Sequence, residues 1–436
     1  MIEVTWYISL DKTNGGEALS SDSPFETQPS DTYKNRLPFQ AEAIDSLPGT
    51  LTSSYNRLHM RDTFCRLFYP EGREGTHDLF HKVFPATWAE RLTLDASDAL
   101  CTLQVAISHT DREMLHASLR LHDLALRRLQ SAINRHARSS SPGSLVGAVY
   151  YLLKWESLMA TSWDSPAWQF QLGALLKLLS QTKAESHDKD LKLPKVLDFT
   201  FCYAMGIGLL SRKGVPWASV FQQQQSRLVS SALQVPPCLA LLDAARYRKC
   251  SPEQVNAAIE RGFVVRYVLL EAISSYSLAS DSDVYFYAVD ISHYPDFEAT
   301  LDSVLVELYS TVYFFSNFEV ALALKTLWIS LLVLDRALSD LQQQYMSDDR
   351  VLGANDFLYL QVETEIDECA DHICRTLPYF SRPECKSSGA LCIMEPLHFI
   401  YNHFAERNAL HHLEWCRRAR DAMISGYKVG RMLGGR

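Results

Sequence analysis

The chain has 436 residues, of which 47% are hydrophobic and 21% are charged, and its formal net charge is −9. These proportions are those of a globular protein and exclude disorder for most of the chain. The negative net charge argues against a large nucleic-acid footprint spread over the surface. Because the length exceeds that of one ordinary compact core, we expect either two lobes or one extended helical array.

Features of a secreted or membrane protein are missing from the sequence. The N-terminal residues lack the basic start and the continuous apolar core of a secretion signal. The longest apolar stretch, Val320–Leu334, contains Lys325 and is shorter than the roughly 20 residues that span a bilayer. The ten cysteines have no close, regular spacing, which is typical of reduced thiols. We therefore expect a soluble intracellular chain with no membrane partner.

The first 50 residues differ in composition from the rest. The stretch from Gly15 to Ser30 is rich in Ser, Asp, Glu, Pro and Thr and has almost no apolar periodicity. Such a composition favours a flexible linker. From about Tyr55 onward, helical patterns dominate. The sequence therefore predicts a flexible N-terminal segment over residues 1–50 and an all-helical region over residues 51–436.

Apolar residues at helical spacing predict a series of helices. Over Asp111–His136, leucines recur on one broad stripe with arginines between them, and a polar run ends the pattern. Two helix starts carry local signals: Ser165-Pro166 supplies an N-cap and a first-turn proline, and Ser251 with Gln254 forms a capping box. The predicted helices are Asp111–His136, Leu145–Ala160, one behind Pro166, Leu197–Leu210, Glu253–Ser275, Phe297–Phe315, Ala321–Gln343, Asp356–Thr376 and Ala409–Tyr427.

Strand patterns are almost absent. Only Val284–Ile291 resembles a strand, between flanks rich in Ser and Asp, and one such segment does not predict a sheet. No repeat of the usual solenoid lengths stands out. The predicted fold class is all-α, as a multi-helix bundle or a superhelical array of antiparallel helices.

The cysteine pattern does not predict a zinc site. A binuclear zinc cluster needs two C-x2-C pairs, and the chain contains none. The nearest approach to a ligand set is Cys369, His372 and Cys374. On a helix, the first two share a face while Cys374 points elsewhere, so four-coordinate closure is awkward. Buried small thiols are the simpler interpretation.

Two Glu-x-x-His pairs, Glu113/His116 and Glu395/His398, have the spacing of di-iron ligands in helical bundles. Such a site also needs two more inward glutamates, and chance alone gives roughly one pair in a chain of this composition. Gly206-Ile207-Gly208 opens a G-x-G string with no strand before it, so it does not predict a dinucleotide site. We expect no metal and no cofactor.

Catalytic motifs are also absent. The chain has no G-x-S-x-G elbow, no H-E-x-x-H motif and no Walker loop. Isolated histidines such as His403, His411 and His412 do not define a site without geometry. We therefore predict no catalytic, cofactor-binding or metal-binding residue.

Basic residues form two modest runs. One comprises Arg127-Arg128 with Arg135, His136 and Arg138, and the other comprises Arg417, Arg418 and Arg420. Runs of this density are more often solvated helix faces than DNA contacts. Together with the net charge, they predict weak or no direct binding to DNA.

Aromatic residues are grouped along the chain. Trp155, Trp163 and Trp168 fall within about one helical hairpin, and two strings occur at Tyr285-Phe286-Tyr287 and Tyr313-Phe314-Phe315. An aromatic-rich core is the simpler interpretation, because aromatic rings dominate core burial. A pocket for an apolar effector or substrate is the other, and both hold for the same residues without conflict.

Four phrases between about Ser97 and Thr182 resemble one known family. They are DALCTLQVAISHTD, LHDLALRRLQSAI, GAVYYLLKWESL and AWQFQLGALLKLL. In this order they resemble the fungal-specific transcription factor domain, the regulatory region that follows zinc-cluster DNA-binding modules. That family has a long helix ending in A-L-x-x-L, then a helix closing on an acidic residue, then a Trp-led helix with a Gly-Ala phrase. The corresponding positions here are Ala125-Leu126, Leu129, Glu156, Trp168 and Gly173-Ala174.

The resemblance continues near the C-terminal end, in EPLHFIYNHFAERNALHHLEWCRRARD, and so spans most of residues 60–433. Two departures stand out. Gln171 lies where many members have a histidine, and the spacing from Trp168 to Gly173 is tight. The zinc cluster that binds DNA in the family is missing.

The family resemblance implies an all-α body that senses a signal, contacts coactivators or restrains a DNA-binding module. It implies a transcription-factor-like regulator of a fungal secondary-metabolite gene cluster, acting without its own zinc cluster. The expected location is the nucleus, or the nucleus and cytoplasm. The expected partners are transcriptional proteins or another regulator subunit, together with a small apolar effector.

A recruited helical enzyme is the alternative to a regulator. A helical body with an aromatic-lined cavity can fold a hydrophobic intermediate for cyclisation or isomerisation by shape and a few donors. An inert scaffold is a third interpretation, since a fold alone does not imply a function. The regulator is preferred because the family resemblance implies it, whereas the enzyme depends on the default interpretation of an aromatic-lined pocket.

Overall fold

A computed structural model describes residues 54–69, 91–134, 142–160, 166–185, 194–212, 221, 227–247, 250–277, 285–346 and 356–426. The chain divides into two units, Met1–Ser46 and Leu47–Arg436, and every described residue lies in the second. The flexible segment predicted over residues 1–50 lies outside the described residues.

The described part of the chain is an all-α bundle with one small sheet, which confirms the predicted fold class. The helices are α1 (Ser54–Phe68), α2 (Arg91–His109), α3 (Arg112–Asn134), α4 (Pro142–Met159), α5 (Pro166–Glu185), α6 (Pro194–Ser211), α7 (Arg227–Ala232), α8 (Val235–Tyr247), α9 (Pro252–Ser277), α10 (Pro295–Glu298), α11 (Ser303–Leu308), α12 (Phe318–Met346), α13 (Asp356–Phe380), α14 (Lys386–Glu406) and α15 (Leu410–Gly426). The strands are β1 (Phe286–Asp290) and β2 (Thr311–Phe315).

Local capping signals set several helix starts. The predicted capping box forms before α9, where the Ser251 amide donates to Gln254 Oε1 at 3.0 Å and the Gln254 amide donates to Ser251 Oγ at 3.4 Å. Asp111 caps α3 by accepting a hydrogen bond from the amide of Met114 at 3.0 Å. The helix predicted behind Ser165 begins at Pro166. These contacts satisfy backbone donors that have no partner inside the helix.

One predicted helix, Phe297–Phe315, is wrong. The segment instead contains two short helices and β2, because Asp302 caps α11 through the amide of Leu305 and the helix ends at Leu308. The following residues, Thr311–Phe315, are β-branched or aromatic and fit a strand. They pair antiparallel with β1, with Phe286 opposite Phe315 and Asp290 opposite Thr311.

Helix α12 lies at the centre of the second half of the chain. It contacts α6 to α9, β2, α13 and α14, and every residue from Ala321 to Leu332 is buried. Most of these residues are apolar, as is typical of a buried helix, but Lys325, Thr326 and Ser330 are also among them. Helices α2 to α5 pack on one another in the first half, and α1 joins α2 to α14. No helix within the described ranges is long and apolar enough to cross a bilayer.

Two helical glycines differ in what a side chain would meet. A Cβ atom at Gly389 would clash with the carbonyl oxygen of Phe380 and would lie 2.7 Å from Cys385 Cβ. A Cβ atom at Gly173 would have no atom within 4 Å. Gly389 is therefore needed where α13 turns into α14, whereas Gly173 is not needed for space.

We predict opposite effects of alanine at these two glycines. Gly389→Ala should lower the free energy of unfolding by about 1–3 kcal/mol, because backbone has to move to admit the methyl group. Gly173→Ala should raise it by about 0.5–1 kcal/mol, because alanine loses less backbone entropy in a helix. Urea titration of both variants measures the two changes, and equal effects would contradict the close approach at Gly389.

Candidate functional site

A lysine and a glutamate form an ion pair inside the core. Lys325 on α12 donates from Nζ to Glu395 Oε2 on α14 at 2.5 Å, and the two side chains are only 1% and 4% exposed. Burial lowers the pKa of Lys325, and Glu395 with the neighbouring Cys202 and Cys392 raises it by more, so the pKa lies above its ordinary value. We call Lys325 and Glu395 the core ion pair.

Two cysteines and a threonine border the core ion pair. Thr326 Oγ1 lies 3.6 Å from Cys202 Sγ on α6. Burial raises the pKa of Cys392 to about 12, which keeps this thiol protonated at neutral pH. Glu395 Oε1 has no hydrogen-bond partner among the described residues. A second buried lysine, Lys154, acts on Cys392 by opposing the rise of its pKa.

A second buried carboxylate lies further along α12. Asp335 is fully buried and accepts a hydrogen bond from Arg266 Nε on α9 at 3.1 Å. Arg266 also contacts Glu365 on α13 through its Nη2 atom. Burial raises the pKa of Asp335 to about 7, and Arg266 opposes that shift. These three residues, which we call the Asp335 cluster, join α9, α12 and α13.

Three stacked rings and a hydrogen bond connect the two-stranded sheet of β1 and β2, which we call the hairpin, to α12 and α13. Tyr313 Oη lies 2.6 Å from His372 Nδ1, and the His372 ring stacks on Trp328 with centroids 5.2 Å apart. Tyr313 also stacks on Trp328 at 5.7 Å. Burial and the nearby Arg375 lower the pKa of His372, so its imidazole is neutral at neutral pH. Burial also raises the pKa of Tyr313, so the phenol keeps its proton beside the neutral imidazole of this aromatic–histidine cluster.

A second hydrogen bond from a tyrosine reaches the neighbouring residue of α13. Tyr309 Oη donates to Asp371 Oδ1 at 2.6 Å, and burial raises the pKa of Tyr309 well above its usual range. The Tyr309 ring meets Trp415 of α15 edge-on at 5.0 Å. Asp371 and His372 therefore each bind a tyrosine at or before β2, which holds the hairpin on α13.

A separate buried polar group lies among α2, α3 and α4. His122 Nε2 is 3.1 Å from Glu156 Oε1, and the His122 ring stacks on Trp155 at 3.8 Å. Trp155 Nε1 donates to Ser118 Oγ at 2.8 Å, and Ser118 Oγ donates to the Ala99 carbonyl. Ser118 Oγ therefore links α3 to α2 through Ala99 and to α4 through Trp155.

The residues weighed as metal ligands have other roles. Cys369 and Cys374 are buried free thiols, and burial raises the pKa of each well above its usual range. His372 faces Tyr313, and Glu395 of the second Glu-x-x-His pair faces Lys325. Within the described residues, no group of three or more His, Cys, Asp or Glu side chains is placed to hold a metal ion.

The remaining sequence candidates lie on helices. Glu113 and His116 are exposed on α3, while Gly206 and Gly208 are buried inside α6, where helical residues from Pro194 onward precede them. The three arginines of the second basic run share two acidic residues of α15, since Arg417 and Arg418 contact Glu414 and Arg417 and Arg420 contact Asp421. The first basic run continues past the end of α3 into residues that the structure does not describe. The side chains of Trp163 and Trp168 also lie outside the described part.

The two aromatic strings come together as β1 and β2. Phe286 contacts Tyr313 at 5.3 Å and Phe315 at 5.7 Å between centroids, and Tyr287 contacts Phe314 at 5.3 Å. Sequence reasoning did not assign a role to Lys325 or to Asp335. The signal that was available is a charged residue inside an otherwise apolar run, because such a residue is buried only with a partner.

No protein-family model, curated protein or solved structure matches the chain.

We predict that breaking the core ion pair lowers the free energy of unfolding far more than breaking a surface ion pair does. Lys325→Met leaves the Glu395 carboxylate buried and unpaired, so the free energy of unfolding should fall by about 3–5 kcal/mol. The double variant Lys325→Met/Glu395→Leu should regain most of that loss, because neither charge remains. Urea titration of both single variants and the double variant measures the coupling.

The matched surface control is Arg417→Met, which breaks exposed pairs and should cost less than about 1 kcal/mol. A Lys325→Met protein as stable as wild type would contradict the burial of an unpaired charge. A double variant that loses the sum of the two single losses would show that the charges do not interact.

We also predict that Asp335 makes the fold less stable as pH rises. Its folded pKa, about 7, lies above the ordinary value of 3.8, so the folded chain binds this proton more tightly than the unfolded chain. The contribution is present below about pH 4 and is lost between about pH 4 and pH 7, with a limit on the order of 4 kcal/mol.

Asp335→Asn should remove this pH dependence, because an amide does not titrate. Urea titrations at pH 5 and pH 8 on wild type and variant give the difference directly. Ser330→Ala, at another buried polar position on α12, should keep the wild-type difference between the two pH values. An Asp335→Asn protein with that same difference would place the titration elsewhere.

Proposed function

We propose that the chain is a transcription-factor-like regulator that acts through protein partners, without its own zinc-cluster DNA-binding module. The observation that carries the proposal is the order of helices across the segment that resembles the fungal regulatory domain. Helix α3 carries the buried Ala125 and Leu129, α4 ends three residues after Glu156, and α5 begins two residues before Trp168. The order of α3, α4 and α5 is the order that the resemblance to the family implies, which supports the proposal.

The acidic residue picked out by the resemblance also has a physical role that supports the proposal. Glu156 is buried against His122, and His122 is stacked on Trp155, so the end of α4 is fixed to α3. A regulatory body needs such a rigid scaffold to present contact surfaces to partners. The core ion pair and the Asp335 cluster also join helices through contacts between buried side chains.

Regulation at a promoter is tested by tethering. The whole chain, joined to a heterologous DNA-binding domain, is expressed in a fungal strain that carries that domain's operator before a reporter gene. We expect a change in reporter output of about threefold or more relative to the DNA-binding domain alone, since coupling of about 1 kcal/mol suffices for that factor. One reporter with a low basal output detects activation, and one with a high output detects repression.

Two histidines on α3 provide matched variants. His122→Ala removes the contact with Glu156 and should abolish the reporter change, whereas His116→Ala alters only an exposed side chain and should leave it unchanged. Immunoblots of the three proteins control for expression. An unchanged output on both reporters with a well-expressed wild-type chain would reject the proposal.

The alternative function, a helical enzyme that cyclises or isomerises a hydrophobic intermediate, draws support from the aromatic–histidine cluster. Tyr313 Oη and His372 Nδ1 are 2.6 Å apart with Trp328 beside them, and phenol and imidazole are side chains that serve enzymes as general acids and bases. Tyr313→Phe separates the two functions. A regulator with this substitution keeps its reporter effect, whereas an enzyme loses its product in comparative metabolite profiles of expressing strains.

A further inference from the structure

One arginine serves two carboxylates in the Asp335 cluster. Arg266 on α9 donates from Nε to Asp335 Oδ1 at 3.1 Å, while its Nη2 atom contacts Glu365 on α13. Arginine frequently binds a single carboxylate through two parallel hydrogen bonds, which is the stronger arrangement. Here the second bond goes to another helix, so Asp335 receives one of the two bonds that Arg266 can give to it.

The second oxygen of Asp335 is buried without a partner. Asp335 Oδ2 has no hydrogen-bond partner among the described residues. The side chain of Asp335 is fully buried, whereas that of Glu365 is 24% exposed. An unpaired charge in the interior is costly, and a proton on Oδ2 removes it. Water can therefore take the place of Arg266 at Glu365 but not at Asp335.

The other groups around Asp335 do not supply a second cation. Cys369 on α13 lies close to Asp335, and burial, together with the charges of Asp335 and Glu368, raises the pKa of this thiol well above its usual range, so it stays uncharged. The neighbouring charged residues of α12 bind other helices, in the pairs Arg336–Glu406 and Asp340–Arg246. Within the described part of the chain, Arg266 is thus the cation that acts on Asp335.

We propose that Arg266 is a proton-dependent switch that ties α13 to α9 and α12. While Oδ2 of Asp335 carries a proton, Arg266 gives Asp335 one hydrogen bond and holds Glu365 with its other nitrogen. When that proton leaves to water, the Asp335 carboxylate takes both nitrogens of Arg266, because two parallel bonds to one anion are the stronger arrangement. Glu365 is then released to water, and α13 loses this tie to α9.

The switch operates around neutral pH. Burial raises the pKa of Asp335 to about 7, so the ionised share of this side chain rises from about one tenth at pH 6 to about nine tenths at pH 8. The tied state holds the proton and is lost as pH rises, because a proton that binds one of two states more tightly shifts the balance between them. Helix α13 also holds the hairpin through Asp371 and His372, so the helix that is loosened positions a second element. The switch does not depend on the proposed regulatory role.

Native-state hydrogen exchange of the whole chain at pH 6 and pH 8 tests the switch. Dividing each measured rate by the intrinsic rate at the same pH gives the opening constant of that amide, and exchange that small additions of urea do not change reports local opening. Once α13 has opened, Asp335 keeps both bonds from Arg266 and is ionised at both pH values. Local opening over Val362–Ile373 should therefore increase about tenfold from pH 6 to pH 8. Equal opening constants at the two pH values would overturn the proposal.

Two variants should fix the switch in opposite positions. Asp335→Asn does not titrate, so α13 should keep the low opening constant of wild type at pH 6 at both pH values. Glu365→Gln leaves both nitrogens of Arg266 to Asp335, so α13 should open at both pH values as it does in wild type at pH 8. Glu368→Gln, which removes an exposed carboxylate one turn further along α13, should keep the tenfold change. A tenfold change that persists in either of the first two variants, or that is lost in Glu368→Gln, would contradict the switch.

Carboxyl-carbon NMR of the wild-type chain tests the exchange of partners without any substitution. With 13C-labelled aspartate and glutamate, the Asp335 signal should titrate near pH 7. The Glu365 signal should change at the same midpoint, because Glu365 loses Arg266 when Asp335 ionises. A Glu365 signal that stays constant from pH 6 to pH 8 would overturn the proposal, even where both variants fail to fold.

Discussion

Lys325 and Glu395 meet in a part of the core where water does not solvate either charge. Removing an ammonium or a carboxylate from water costs several kcal/mol even after the protein relaxes. That cost is offset only while the two groups stay in contact, so α12 and α14 are held in one register. A slide of one helical turn, about 5.4 Å, would separate the charges. Apolar packing alone would tolerate such slides more readily.

The other buried polar groups on or beside α12 act on different neighbours. Asp335 ties α12 to Arg266 of α9, and Trp328 stacks on His372 of α13, which in turn binds Tyr313 of β2. In each contact the two residues lie far apart in the sequence, so each contact specifies one arrangement of the helices. We infer that these groups act mainly on the choice of arrangement, since buried ion pairs add little net stability compared with apolar residues of the same size.

The features that the sequence predicted and those that it missed differ in how far apart the contacting residues lie along the chain. The capping box of Ser251 and Gln254 and the start of α5 at Pro166 depend on residues within four positions, and both were predicted correctly. The core ion pair joins residues 70 positions apart, and no local pattern identifies Glu395 as the partner of Lys325. Helical spacing revealed α12 itself but not which of its polar residues face another helix.

The hairpin shows the same limit. The strand pattern of β1 was visible, but β2 was included in the predicted helix Phe297–Phe315. Strands become stable only when paired, and the partner of β1 lies beyond two short helices. The candidate site shares this dependence, because the spacing of Cys369, His372 and Cys374 does not show that His372 contacts Tyr313, 59 positions away.

Native-state hydrogen exchange of α12 tests most directly whether this helix holds the others together. If it does, amides of Leu327–Leu332 exchange only when the whole chain unfolds, with a free energy equal to that of global unfolding and the same denaturant dependence. Exchange of those amides at a clearly lower free energy, while α2 to α5 remain protected, would contradict a central role for α12.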